Sequence, residues 1–184
     1  MFIQTESTPN PATMKFLPGC TVMGPGAMAD FPSADDARRS PLAHALFETG
    51  HVSRVFFGSD FISVTKKDVE WKAFKPEILG LIADHFAQDL PLIEEHAEDV
   101  DNPAEGDSEV VAQIKELLAT RVRPALAEDG GDAIFKGFDE ASGVVFLQMR
   151  GACAGCPSAT MTLKQGIERL LRHYVPEVNA VEAV

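Results

Sequence analysis

The chain has 184 residues, of which 45% are hydrophobic, and it carries a formal net charge of −12 at pH 7. This length and composition predict a packed core in one ordinary domain or two small ones. The acidic balance offers no basic face for phosphate groups, so we expect no nucleic-acid partner. The longest apolar runs fall far short of the roughly 20 residues that span a bilayer, so we expect no membrane partner either.

The first residues, MFIQTES, show neither the basic nor the apolar segment of an export signal. This pattern predicts a reducing compartment: the cytoplasm, or an organelle matrix such as that of mitochondria if a transit peptide has been removed. In such a compartment the three cysteines, Cys20, Cys153 and Cys156, are not expected to form a disulfide framework. A metal site or a redox site is the more natural use of them.

Residues 1–93 are predicted to form a small α+β domain. A helix is expected to begin near Pro41 with Ser40 as its N-cap, and Gly50 is expected to end it. The clearest pattern is a hairpin, VSRVFF and FISVTK around a Gly-Ser-Asp turn. Short strands are predicted at residues 2–5 and 14–17, irregular structure at 18–39, and a second helix at about 76–88. No catalytic constellation is recognisable in this half.

Residues 94–108 contain seven Asp or Glu, no Lys or Arg, and few large apolar residues. Such a segment cannot bury enough apolar surface to offset the entropy lost on ordering. It is therefore interpreted as an acidic flexible linker.

Residues 109–184 are predicted to form a second small α+β domain, in the order helix, strand, strand, helix, strand. The first helix begins near Glu109, with Ser108 as N-cap, and Pro124 is expected to bend or end it. A turn is predicted over residues 127–132, where Gly130 and Gly131 can adopt unusual backbone angles. A helix is expected from about residue 158 to 174, with Leu163, Ile167, Leu170, Leu171 and Tyr174 on its core face.

Between the second strand and that helix lies the segment GACAGCPSAT, in which Cys153 and Cys156 form a CxxC pair. Their small neighbours would let backbone N–H groups approach a bulky anionic ligand. The helix that follows points its N-terminus at the pair, which predicts a lowered pKa for both thiols. Such thiolates are suited to bind a soft metal or to react.

Counting ligands narrows the choice, because iron–sulfur clusters and structural zinc both take four protein ligands and this segment supplies two. Two copies of the segment facing each other would provide four thiolates. A cluster shared in this way would be easy to release, as a carrier requires. Zinc binding, a dithiol–disulfide oxidoreductase and an incidental pair of small buried residues remain open as alternatives.

Two stretches carry a family resemblance. The run RPALAEDGGD, two strands later followed by GACAGCPSATMTLKQGIE, resembles the carboxy-terminal domain of NifU and of the Nfu-type iron–sulfur carrier proteins. The first half, notably TESTPNPATMKFLPG and the hairpin SRVFFGSDFISVTK, is similar to the amino-terminal domain of the same Nfu proteins. Together these stretches cover nearly the whole chain.

The resemblance implies that Cys153 and Cys156 bind a [4Fe-4S] cluster shared between two subunits, and that the protein is a homodimer when loaded. It implies transfer of that cluster to apo-proteins, such as aconitase-type or lipoyl-synthase-type enzymes, after loading by upstream assembly factors. No catalysis is implied, so the protein is not expected to be an enzyme. Cys20 matches no motif position and is expected to be a buried structural thiol, and the residues from Asp129 to Asp132 are interpreted as turn residues.

Overall fold

The computed structural model describes residues 2–93, 107–154 and 157–184. These residues form two compact α+β units, one on each side of residues 94–106. The predicted linker lies outside the described residues apart from Asp107 and Ser108, so the boundaries at 93 and 109 stay predictions. No helix in the described ranges is both long enough and apolar enough to cross a membrane.

Within residues 2–93, five strands form one antiparallel sheet in the order β1-β2-β5-β4-β3. Aromatic and aliphatic side chains from the sheet and from two helices make a single core, in which Phe16, Phe57 and Ile78 are fully buried. The elements are β1 Gln4–Ser7, β2 Thr13–Leu17, β3 Ala29–Phe31, α1 Pro41–Glu48, β4 Val52–Phe57, β5 Ile62–Lys66 and α2 Trp71–Ala87, with a 3-10 turn at Asp36–Arg39.

The capped helix and the hairpin of this unit are confirmed. Helix α1 begins at Pro41, and the Ala43 N–H donates to Ser40 Oγ at 3.1 Å, as an N-cap should. Strands β4 and β5 pair antiparallel from Val52 to Lys66. Local sequence signals were sufficient here because caps and tight turns are decided by a few neighbouring residues.

Three predictions in this unit were wrong in part. Strand β1 begins two residues later than predicted, and β3 lies in the stretch expected to be irregular. Strand β3 was missed because three residues give no periodic pattern. Helix α2 begins at Trp71 and contains Pro76. The buried Phe74 and a hydrogen bond from Trp71 Nε1 to the Pro11 carbonyl, 3.1 Å, hold the turn before the proline in place.

In residues 107–154 and 157–184, three strands form a sheet in the order β6-β7-β8. Strands β6 and β7 are an antiparallel hairpin, whereas β7 and β8 are parallel. Parallel neighbours need a crossover, and α5 supplies it. The cysteine segment therefore lies where the crossover begins. The elements are α3 Glu109–Leu117, a π-helical turn Leu118–Val122, α4 Arg123–Glu128, β6 Gly131–Asp139, β7 Val144–Gly151, α5 Pro157–Tyr174 and β8 Ala180–Ala183.

The helical segment that begins at Glu109 continues to Glu128, so Pro124 does not end it. Proline has no N–H to donate within a helix. The wider turn before it, in which the Arg123 N–H donates to the Leu118 carbonyl, accommodates the proline without ending the helix. As a consequence, the turn predicted from residue 127 is shorter than expected and the strand begins at Gly131.

The core face predicted for α5 is confirmed for Ile167 and Leu171, which are buried with α3 and the sheet. Tyr174 was wrongly assigned to the core, since it is 46% exposed. Its ring lies under the Arg121 guanidinium, 4.9 Å from the ring centroid. A cation–π contact at the surface explains why an aromatic residue ends this face of the helix.

Candidate functional site

The first cysteine of the pair lies directly after β7, on the way to α5. Gly151 ends β7 with a φ of +59°, a value that suits glycine, and the chain then turns so that the Ala154 N–H donates to the Gly151 carbonyl at 3.1 Å. Cys153 lies inside this turn. Cys156 lies outside the described residues, so its assignment as a ligand stays a prediction.

Cys153 is packed into the core of its unit and is 1% exposed. Its sulfur lies against Gly131 at the start of β6, where a Cβ atom would stand 2.3 Å from Sγ. The Thr160 hydroxyl, in the first turns of α5, donates to the Cys153 carbonyl at 3.0 Å. Both the side chain and the backbone of this cysteine are therefore held by neighbouring elements.

The electrostatics of Cys153 differ from the sequence-based prediction. Burial first, and then the nearby Asp129 and Asp132 carboxylates, together raise the pKa of its thiol to about 12, while a hydrogen bond from the Asp132 backbone opposes the shift. The predicted lowering by the helix N-terminus is wrong for this cysteine, because loss of hydration and two acidic neighbours outweigh a partial dipole charge. In this position Cys153 is a neutral thiol.

The residue beside the sulfur, Asp132, is a buried carboxylate with an arginine partner. It is 1% exposed, and Arg123 at the start of α4 donates to it from Nε at 2.9 Å and from Nη2 at 3.4 Å. Burial raises the pKa of Asp132, whereas the Arg123 guanidinium lowers it. Arg123 belongs to a helical segment that continues through Pro124 without a break. Its ion pair with Asp132 therefore ties the start of β6 to that segment.

The DGGD segment was interpreted as one turn, and the structure divides it. Gly130 has a φ of +76° and makes the turn, which confirms that part of the interpretation. Gly131 and Asp132 belong to β6, paired with Gly151 and Arg150 of β7. Gly131 is thus required by the close approach of the Cys153 sulfur and of the Cys153 and Arg150 backbone rather than by its own backbone angle. The role of Gly131 becomes visible only from the strand register. The signal in the sequence was the pair of adjacent glycines before a hairpin that leads into a CxxC.

In the part of the chain that the structure describes, the other candidate ligands do not gather around a common point. Cys20 is exposed, so its prediction as a buried thiol was wrong; it follows Gly19, whose φ of +76° turns the chain at the surface. Within residues 2–93, 107–154 and 157–184, no group of three or more His, Cys, Asp or Glu side chains is arranged to hold a metal ion. Cys153 itself, a soft thiol donor, fits iron in an iron–sulfur cluster by chemistry, although in this position its sulfur is covered.

Both halves of the chain match family models that share the NifU name. Residues 3–89 match the family model described as scaffold protein Nfu/NifU N terminal, and residues 114–182 match the NifU-like domain. The chain is 49% identical to the NFU1 iron–sulfur cluster scaffold homolog, mitochondrial, of Drosophila ananassae, across 100% of this chain and 64% of that protein. It is 53% identical to NifU-like protein 4, mitochondrial, of Arabidopsis thaliana, across 99% and 65%.

The chain therefore spans slightly less than two thirds of the length of these relatives. Among solved structures, a NifU-like protein from Saccharomyces cerevisiae is similar at 27% identity, with a TM-score of 0.48, over 52% of this chain and 87% of that one.

Proposed function

Because this chain belongs to the Nfu/NifU family of iron–sulfur cluster scaffold proteins, we propose that it binds an iron–sulfur cluster as cargo and passes it to apo-proteins. The observation that carries the proposal is the NifU-like match over residues 114–182, because that range contains the CxxC pair. The Drosophila ananassae relative is named as a scaffold, which supports a binding role rather than catalysis. The protein is accordingly proposed not to be an enzyme.

Cys153 and Cys156 are the proposed ligands. Two thiolates from each of two chains meet the four-ligand requirement of a [4Fe-4S] cluster, so the loaded form is proposed to be a homodimer. Burial of Cys153 is compatible with this role only if its sulfur comes to the surface. Iron then replaces the thiol proton, because a metal cation deprotonates the thiol that binds it.

Release follows by ligand exchange. An incoming thiol of the client loses its proton as its sulfur bonds to iron, the bond from iron to Cys153 breaks, and the Cys153 sulfur takes up a proton. No electron is transferred in this exchange. After release, the Cys153 sulfur can return to its buried position, where it no longer competes with the client thiol for iron. This favours transfer of the cluster to the client.

The alternative, a dithiol–disulfide oxidoreductase, is less well supported by the described geometry. A thiol that attacks a disulfide has to be an accessible thiolate, and reactive cysteines lie in electropositive, partly exposed surroundings. Cys153 is covered, and its neighbours Asp129 and Asp132 are acidic. Metal binding differs because the incoming cation supplies the positive charge that the surroundings lack.

The proposed partners are apo iron–sulfur proteins as clients and the assembly factors that load the carrier. The names of both relatives place those proteins in mitochondria. These names fit the matrix alternative of the sequence analysis and give no support to the cytoplasmic expectation. We therefore favour a mitochondrial-type compartment for the proposed carrier.

Anaerobic reconstitution with iron and sulfide tests the proposal. The wild type should take up about two iron and two sulfide per chain and double in mass, as one cluster shared by two chains requires. The Cys153→Ala variant should stay colourless and monomeric, while the matched control Cys20→Ala should behave as the wild type. A colourless wild-type monomer, or zinc uptake without iron uptake, would contradict the carrier. Transfer is then read as recovered activity of an apo aconitase-type enzyme.

A further inference from the structure

We infer that Gly131 is a positioning residue for Cys153: because it lacks a Cβ atom, it leaves the buried space in which the sulfur lies while the protein carries no cargo. The meaning of this position for cluster loading rests on the proposed function. The geometry of the position does not. The inference therefore has a test that involves no cluster.

The space beside Gly131 is occupied on three sides. A Cβ atom built there would lie 2.3 Å from Cys153 Sγ, 2.8 Å from Cys153 N and 2.9 Å from the Arg150 carbonyl oxygen. Distances below 3.0 Å are closer than Cβ atoms approach other atoms in proteins, so all three contacts would have to be relieved, by movement of the sulfur and by small shifts of the two backbone atoms. The sulfur makes the closest of the three contacts, and it belongs to the only side chain among them, so it would move furthest. Even the smallest substitution would thus displace the sulfur.

The backbone of Gly131 does not by itself demand glycine. Its φ is not positive, unlike that of Gly130 at +76° or Gly143 at +70°. It lies in a regular strand and pairs with Gly151 across the hairpin. A strand is a poor place for glycine, since it costs conformational entropy and packs no side chain. What glycine provides at this position is room, which the Cys153 sulfur enters most closely and the Cys153 N and Arg150 O atoms also need.

Three contacts hold the surroundings of the sulfur in place. The Arg123–Asp132 ion pair fixes the start of β6, and the Asp132 backbone hydrogen-bonds to the thiol. On the other side, the Thr160 hydroxyl holds the Cys153 carbonyl at 3.0 Å. The buried position is therefore built from β6, α4 and α5 together, and it is not a chance rotamer of an exposed side chain.

A cluster shared by two chains has to touch both, so each ligand sulfur has to reach the surface of its own chain. Cys153 cannot bind such a cluster from a position that is 1% exposed. Two consequences follow for the cargo-free protein. Loading includes removal of the sulfur from the space beside Gly131, and until then the thiol is shielded from oxidants and alkylating reagents.

The test is the rate of alkylation by iodoacetamide of reduced, chelator-treated, metal-free protein, followed by mass spectrometry. Trypsin releases the peptide from Gly151 to Lys164, and fragmentation assigns the label to Cys153 or Cys156. Exposed Cys20 in the same chain is the internal standard. In the wild type, Cys153 should react roughly tenfold more slowly than Cys20, because iodoacetamide reaches the buried sulfur only when the surrounding structure opens locally. In Gly131→Ala the Cys153 rate should rise roughly tenfold, with the Cys20 rate unchanged.

The matched control is Gly137→Ala in the same strand, where an added Cβ would meet only Phe146 at 3.9 Å, an ordinary contact. It should leave the Cys153 rate at the wild-type value. Circular dichroism checks that each variant is folded. If Gly131→Ala does not fold, Thr160→Val decides: loss of the hydroxyl donor should accelerate Cys153 alone, by roughly threefold, and an unchanged rate would overturn the inference.

The two proposals fail separately. Rapid alkylation of Cys153 in the wild type, or an unchanged rate in folded Gly131→Ala, contradicts the role of Gly131 even if reconstitution succeeds. If reconstitution fails but alkylation of Cys153 is slow in the wild type and faster in Gly131→Ala, only the carrier function is contradicted. If both hold, the rate of cluster uptake should be higher in Gly131→Ala than in Gly137→Ala, because the sulfur is already displaced.

Discussion

Each unit of the chain contains a buried aspartate that pairs with an arginine through both carboxylate oxygens, and the two pairs have different surroundings. In the amino-terminal unit, Arg54 Nε donates to Asp30 at 2.8 Å, between the adjacent strands β3 and β4. In the carboxy-terminal unit, Arg123 Nε donates to Asp132 at 2.9 Å, between α4 and β6. Asp30 is 8% exposed and Asp132 is 1% exposed.

The difference lies in what each pair holds in place. The Asp30 pair joins two strands of a core rich in aromatic residues, and the Arg39 guanidinium beside it donates to the Asp30 carbonyl and covers the Phe31 ring. The Asp132 pair fixes the strand that carries Gly131, and its carboxylate acts on the Cys153 thiol. The same interaction is thus part of the scaffold in one unit and part of the candidate site in the other.

The largest expected effect comes from breaking each pair. Asp30→Asn and Asp132→Asn each leave a largely buried arginine without its partner charge, which should cost about 3 kcal/mol of stability in the unit concerned. Trp71, the only tryptophan, reports urea unfolding of the amino-terminal unit. Hydrogen exchange in β6 and β7 reports the carboxy-terminal unit.

The two variants should differ in thiol chemistry. Asp132→Asn should accelerate alkylation of Cys153, because it removes an acidic neighbour and loosens the start of β6. Asp30→Asn should leave that rate unchanged. Equal alkylation rates in the two folded variants would mean that the Asp132 pair serves the fold alone, and the contrast between the pairs would disappear.

A smaller effect is expected from crowded turn glycines in the two hairpins. Gly143 has a φ of +70°, and a Cβ there would lie 2.5 Å from the Glu177 carbonyl oxygen, which belongs to the backbone. For a Cβ at Gly58, the three nearest atoms all belong to the Phe61 side chain, the closest at 2.2 Å. Gly143→Ala should therefore destabilise its unit by about 2–3 kcal/mol, and Gly58→Ala by about 1–2 kcal/mol as the ring shifts. The reverse order, measured by hydrogen exchange in each hairpin, would show that the Phe61 ring is the less yielding neighbour.

The smallest expected effect is a pH dependence confined to the amino-terminal unit. His85 is 5% exposed, and its Nε2 has no hydrogen-bond partner among the residues that the structure describes. Burial lowers its pKa, while a hydrogen bond to the Leu90 backbone opposes the shift. The unfolded chain binds this proton more readily, at its ordinary pKa of about 6.5. Stability should therefore fall as the pH drops below about 6.5, and level off below the folded-state pKa. Urea unfolding followed by Trp71 fluorescence at several pH values measures this, and His85→Gln should flatten the profile.

Much of the fold could be predicted from the sequence, because its signals are local. The capped helix at Pro41, the hairpin from Val52 to Lys66, and the order of elements after Glu109 all depend on residues close together in the chain. Errors arose where tertiary contacts outweigh local preference. Helix α2 begins before Pro76 because Phe74 is buried, and the helical segment passes Pro124 because a π-helical turn accommodates it.

For the site, the residue pattern alone was enough to predict a CxxC pair of soft thiols before a helix as the ligands, and to indicate the family, which the comparisons confirm. The state of Cys153 was decided by the tertiary structure alone. The strand register brings Gly131 against its sulfur, and burial with two acidic neighbours raises its pKa, which reverses the expectation from the helix dipole. Desolvation depends on every atom packed around a group, and those atoms come from residues distant in the sequence.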